Sequence, residues 1–187
     1  MKDNKMLLIR PAVETDAETI RDIYSYYVEN TAVTYEIVSP DTAEMKKRMA
    51  KTQKNFPYMV AEKDGHVIGY CYAGPYHERA AYRWCAELSI YLAPDVRGQG
   101  IGRALYSYME NELKEMGYLN LYACIAHAVK EDRYLHNDSE AFHGKMGFKR
   151  ISHSHKCAFK FGTWYDMVWM EKMIGRHMVP PKEIKKN

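Results

Sequence analysis

The stretch LAPDVRGQGIGRALYSYME, Leu92 to Glu110, carries the decisive change of pattern in this chain. Up to Leu92 the residues alternate as a strand does. From Ile101 onward the apolar positions are Ile101, Leu105, Met109, Leu113 and Met116, the spacing of one buried helix face. Between the two lie Pro94, Arg97 and glycines at 98, 100 and 102. A helix start exposes unpaired N–H groups and roughly half a positive charge. Glycines let a ligand approach that backbone closely, and Arg97 adds a permanent cation. The junction therefore predicts an anion cradle of phosphate size.

Two common phosphate patterns fail here. The P-loop needs Lys-Ser/Thr after its last glycine, but Arg103-Ala104 follow Gly102. The dinucleotide pattern begins at Gly98-Gln99-Gly100, but its third glycine would fall on Arg103. What remains is R-x-x-G-x-G, on Arg97, Gly100 and Gly102.

Working outward, RWCAELSIYLA (Arg83 to Ala93) reads as a strand. Trp84, Ala86, Leu88, Ile90 and Leu92 face one way, and Cys85, Glu87, Ser89 and Tyr91 the other. A carboxylate in mid-strand is costly unless paired or used, so Glu87 is either bridged to Arg79 or Arg83 or is a chemical group. Upstream, MLLIR (Met6 to Arg10) is a strand, and Asp16 can cap a helix with Ile20, Ile23, Tyr24 and Tyr27 on one face. AVTYEIV reads as extended, and Asp41 or Thr42 opens a second helix to about Thr52. Asp64-Gly65 joins two strand runs as a hairpin. Downstream come the strand NLYACIA, a short helix ending at MGF, and strands near Lys149–Phe159 and Thr163–Met173. The order β-α-α-β-β-β-α-β-α-β-β describes a mixed α/β fold with helices packed on one sheet.

The 187 residues suit a single domain, taken as 1–175, followed by a basic tail, 176–187, that reads as frayed. Lys and Arg are scattered and net charge is +3, so a nucleic-acid partner is not expected. No apolar run reaches the ~20 residues of a membrane span. The N-terminus also lacks a signal-peptide core, so a cytoplasmic protein is expected. Four separated cysteines without C-x-x-C read as buried free thiols. His153, His155 and Cys157 would share a strand face, but no fourth ligand stands out and no metal is expected.

The R-x-x-G-x-G turn resembles the pyrophosphate loop of the GCN5-related N-acetyltransferases. The wider run AYRWCAELSIYLAPDVRGQGIGRALY is similar to the phosphinothricin acetyltransferase-like branch of that superfamily. SEAFHGKMGF (Ser139 to Phe148) matches the branch's Ser-x-x-x-His-x-x-x-Gly-Phe element, and KFGTWYDMVWMEKMI (Lys160 to Ile174) its closing strand. The resemblance implies a mostly antiparallel sheet, splayed where coenzyme A inserts. It implies acetyl transfer from acetyl-CoA to the primary amine of a small amino-acid-like acceptor, of the phosphinothricin or methionine sulfone/sulfoximine type. Coenzyme contacts would come from Ile90, Tyr91, Leu92, Arg97, Gly98, Gln99, Gly100, Ile101, Gly102, Arg103 and Ser139. Many members carry Asn three residues before the Ser; here His136 stands there and Asn137 follows, so Asn137 is taken as the coenzyme contact. Glu87 would be the general base, directly or through a water, and His143 the acid for the leaving thiolate. Tyr35 and Glu36 would cover the acceptor, and Arg79 or Arg83 would hold its anionic group. Relatives of this kind are often homodimers, so a homodimer is expected. A non-catalytic acyl-CoA-binding module and a protein or polyamine acetyltransferase are the rival readings.

Overall fold

Asp64 and Gly65 both adopt positive φ, 55° and 78°, the twist that two-residue hairpins need. In the computed structural model, which describes residues 7–185, they join β2 (Tyr58–Lys63) to β3 (His66–Pro75). The other strands are β1 (Leu7–Pro11), β4 (Cys85–Leu92), β5 (Asn120–His127), β6 (Lys149–Lys160) and β7 (Thr163–Met173). Helices are α1 (Ala17–Asn30), α2 (Thr42–Gln53), α3 (Ile101–Met116) and α4 (Asp138–Lys145). This is the expected order of elements; Met6 of the first expected strand lies outside the described residues.

The strands form one seven-stranded sheet in the order β1-β2-β3-β4-β5-β7-β6. Neighbours are antiparallel except β4 and β5, which run parallel and pair only from Cys85–Asn120 to Glu87–Tyr122. Beyond Glu87 both strands continue, to Leu92 and His127, without pairing with each other. The sheet is therefore splayed at its centre. Helix α3 packs its Ile101, Leu105, Met109 and Leu113 face on Ala86, Leu88, Leu121 and Ala123. On the other face, Ile20, Ile23, Tyr24 and Tyr27 of α1 pack with Met45 and Met49 of α2 on Tyr58, Val60 and Tyr70. Both layers bury apolar residues at the periods read from sequence.

Several local expectations are corrected. Residues 32–38 form an irregular loop rather than extended strand. Tertiary bonds hold it: Lys160 Nζ donates to Thr34 O at 2.8 Å, and Arg48 Nη1 to Glu36 at 2.7 Å. Asp41 caps α2 by accepting from Glu44 N at 2.7 Å, as expected. Asp16 does not cap α1; its carboxylate accepts two bonds from Arg10, at 2.7 and 2.9 Å, and one from Val13 N. Of the cysteines only Cys71 is fully buried, and Cys124 and Cys157 are exposed. The tail expected to fray is instead held, through residue 185, against the ends of β4 and α3. Trp84 Nε1 donates to Lys182 O at 2.7 Å, and Lys185 N to Met116 O at 2.9 Å. Ile184 packs on the α3 core. Among the described residues no helix is long and apolar enough to cross a membrane.

Candidate active site and coenzyme cleft

The turn between β4 and α3 has the conformation its glycines allow. Gly98 and Gly100 take φ of 76° and 83°, a region costly for residues with a Cβ. Gly100 is the N-cap of α3, and no side chain caps it. The first intrahelical bond runs from Ala104 N to Gly100 O at 3.1 Å, so the N–H groups of Ile101, Gly102 and Arg103 lack helical partners. A Cβ at Gly102 would stand 3.4 Å from the Phe142 ring and 3.6 Å from Leu92, so α3 seats tightly against α4 and β4.

This helix start opens into a cleft of about 700 Å³. Ile90, Leu92, Arg97, Gly98, Gly100, Gly102, Arg103 and Ser139, all expected coenzyme contacts, line it. The Arg97 guanidinium lies 5.3 Å from the Tyr27 ring, and the Tyr27 hydroxyl donates to Leu92 O at 2.6 Å. Sequence reasoning missed Tyr26, Tyr27, Arg133 and Lys145, which also line the cleft. No local motif marks them: they come from α1, the 128–137 loop and α4, and only the fold gathers them. Arg97, Arg103, Arg133 and Lys145 together make the cleft electropositive, which suits a polyphosphate ligand.

Other expected contacts are placed differently. Asn137 is committed elsewhere: its Oδ1 accepts from Ala128 N and its Nδ2 donates to Ala128 O, both at 3.0 Å. His136 lines the cleft in its stead. The Ile101 side chain is buried in the core, leaving only its N–H for a ligand. The Gln99 amide leans back on Asp95 O at 3.4 Å. Tyr91 packs among Tyr24, Tyr27 and Tyr70, while also bordering a smaller cavity.

That smaller cavity, about 50 Å³, lies between β4 and β5 past their last pair and is bordered by Ser89, Ile90, Cys124, Tyr106 and His143. His143 is buried, with Nδ1 at 2.7 Å from Ser139 O and Nε2 at 2.7 Å from the Tyr106 hydroxyl. A carbonyl only accepts, so Nδ1 carries the proton and Nε2 accepts from Tyr106. Burial lowers the His143 pKa, against the Ser139 bond, and pushes the Tyr106 hydroxyl well above its usual range. Both ring nitrogens of His143, the expected acid, are thus engaged, with the Tyr106 hydroxyl on the Nε2 side.

Glu87 sits on the last β4–β5 pair, opposite Tyr122 on one side and Gly74 on the other. It is half-buried, and burial alone raises its pKa. Among the described residues its carboxylate makes no hydrogen bond or ion pair. The structural alternative read from sequence is not realised: Arg83 pairs with Glu183 at 3.2 Å and lies 4.3 Å over the Trp84 ring. Arg79 is exposed, and its side chain makes no hydrogen bond or ion pair among the described residues. It precedes the turn beside Tyr76, whose ring stacks at 3.8 Å on Tyr122. Tyr35 and Glu36 act as anchors. The Tyr35 hydroxyl donates to Asp166 O, and Glu36 accepts from Tyr24 at 2.9 Å and from Arg48. Their loop places Val33 on the border of both cavities.

A cationic cleft thus reaches the gap between β4 and β5, and Glu87 stands at the last paired position beside that gap with its carboxylate unpaired. The family model described as an acetyltransferase (GNAT) domain matches residues 9–169. The chain belongs to the GNAT acetyltransferases. It is similar to a phosphinothricin N-acetyltransferase of Alcaligenes faecalis, 34% identical over 167 residues, covering 89% of this chain and 82% of the relative. It is also similar to an L-methionine sulfoximine/L-methionine sulfone acetyltransferase of Salmonella typhimurium, 27% identical, covering 93% and 98%. Among solved structures, a phosphinothricin acetyltransferase from Sinorhizobium meliloti in complex with acetyl-CoA superposes with a TM-score of 0.86 and 36% identity, covering 96% and 94%. Acetyl-CoA is the donor cosubstrate of this GNAT enzyme. The cleft fits it: the free N–H groups and cations sit at one end, and the splayed strands at the other.

Proposed function

We propose that this acetyltransferase acetylates the primary amine of a small amino-acid-like acceptor by direct transfer, with Glu87 as general base. The acceptor is of the phosphinothricin or methionine sulfone/sulfoximine type. The observation that carries this reading is the unpaired, half-buried Glu87 where the sheet parts. A carboxylate raised by burial takes a proton from an ammonium more readily than a solvated one. It does so directly or through one water. The freed amine attacks the thioester carbonyl. On β4 beyond Glu87 the edge facing β5 has lost its strand partner, which supports an N–H near Ile90 as the oxyanion donor. The Tyr106–His143 pair, rather than His143 alone, faces the leaving sulfur.

The names of the relatives above support an amino-acid-like acceptor. Of the two arginines, Arg79 suits the acceptor's anionic group, because Arg83 is committed to Glu183 and Trp84. A cytoplasmic homodimer belongs to the same reading.

Thiol release from acetyl-CoA, measured on matched pairs of free amino acids and their carboxamides, tests the acceptor assignment. Free acids are expected to turn over faster. Arg79→Lys should erode that preference, since a point charge does not replace a planar fork, whereas Arg83→Lys should leave it intact. Equal rates on acids and amides would remove the amino-acid assignment.

A further inference from the structure

Across β6 and β7 three donor atoms converge on one point that the transfer chemistry does not use. Asp166 is 1% exposed. Its Oδ2 lies 2.6 Å from His153 Nε2 and 3.2 Å from His155 Nδ1, and all three donors lie within 4.8 Å of one another. The Asp166 Oδ1 accepts from Lys156 N at 2.7 Å, which fixes the carboxylate's direction.

The backbone is bent to make this arrangement. Ser154 pairs with Met167 and Ala158 with Tyr165, so residues 155–157 stand opposite Asp166 alone. Lys156 takes φ of 47° inside this bulge, an uncommon conformation for a residue with a side chain. The bulge also breaks the alternation read from sequence. The Cys157 Sγ approaches Tyr165 O at 3.9 Å instead of joining the histidines, and Asp166 takes the third place.

We infer that His153, His155 and Asp166 form a binding site for a divalent transition-metal ion, best suited to Zn²⁺ with water as the fourth ligand. Two imidazole nitrogens and a carboxylate oxygen are a usual zinc donor set, at about 2.0–2.2 Å. The exposed His155 ring can turn to meet an ion, while the buried carboxylate stays fixed. Among the described residues no Lys or Arg pairs with Asp166. A buried carboxylate is costly unless a cation pairs with it, and none of its side-chain partners here is a permanently charged group. A bound ion supplies the missing charge. The Lys156 N–H is the outer contact that orients the ligand carboxylate. His127 packs edge-on to His153, with ring centroids 5.2 Å apart, but it does not converge on the point shared by the three donors, so it is not counted as a ligand.

The test uses tag-free, chelator-treated full-length protein, titrated with Zn²⁺ and separately with Co²⁺. The expected result is one equivalent of Zn²⁺ retained through desalting, with a raised Tm. The Co²⁺ form should show visible d–d bands without a thiolate charge-transfer band. His153→Ala and His155→Ala should each weaken Zn²⁺ binding by at least ~10-fold, the lower end of what even outer contacts contribute. Because His155 is exposed, its variant does not endanger the fold. Cys157→Ser should bind as wild type does. Failure to retain Zn²⁺, retention undiminished in both histidine variants, or a thiolate band that Cys157→Ser abolishes would each overturn the site. The first two would leave the histidines as hydrogen-bond partners of Asp166 only.

Discussion

Gly100 shows how one residue can carry both shape and binding. Its φ of 83° and its place at the uncapped start of α3 leave the backbone open toward the cleft. Gly100→Val would be strained in that conformation and would cover the N–H groups. Arg97→Ala removes a charge-assisted contact worth about 1.5–3 kcal/mol, roughly 10- to 100-fold in affinity. Calorimetric titration with acetyl-CoA should show weaker binding in both variants with the fold kept, and wild-type affinity in both would remove the cradle. At this scale the sequence was readable where a rule is local. Alternation singled out Glu87, and the glycine spacing singled out the turn. It was unreadable where a side chain's partner comes from afar. Nothing adjacent shows that the Asn137 amide clamps Ala128, or that a bulge turns Cys157 away from two histidines.

Elements were legible in number, order and facing because apolar periodicity and turn chemistry are local signals. Their ends and connections were less so. Residues 32–38 contain strand-favouring Val, Thr, Tyr and Ile, yet bonds from Lys160, Tyr24 and Arg48 draw the segment into a loop. Asp16 stands at the start of α1, but Arg10, arriving from β1, captures its carboxylate. Burial pushes the Asp16 pKa up, but the Arg10 bonds and the Val13 N–H outweigh it, and the net shift is downward. The stability this contributes is present above the unfolded carboxylate pKa of about 3.9 and is lost as pH falls through the lower folded value. Arg10→Ala leaves the burial cost unopposed by that cation. It should cost about 1–3 kcal/mol and move acid unfolding to higher pH. Circular dichroism followed against pH checks this, and an unchanged acid midpoint would show the pair to be unimportant.

At the scale of the whole molecule, function follows from one interruption in the sheet. Three residue pairs hold β4 to β5, and then the strands part. The cationic cleft reaches that gap from the α3–α4 side, while Glu87 projects on the face that also carries Tyr122. On the function proposed above, donor and acceptor meet across the sheet. The splay was expected only through family resemblance, since neither strand's own residues announce where pairing stops. The most direct test is turnover of Glu87→Gln against wild type over a range of pH, with acetyl-CoA affinity measured in parallel. The substitution keeps the shape and removes the proton acceptor. Coenzyme affinity should stay near wild type while turnover falls by ~10²–10⁴-fold. The wild-type acid limb, lying above the usual glutamate range because burial raises Glu87, should shift or vanish in the variant. Full turnover with an unchanged pH profile in Glu87→Gln would contradict the assignment of Glu87 as the base.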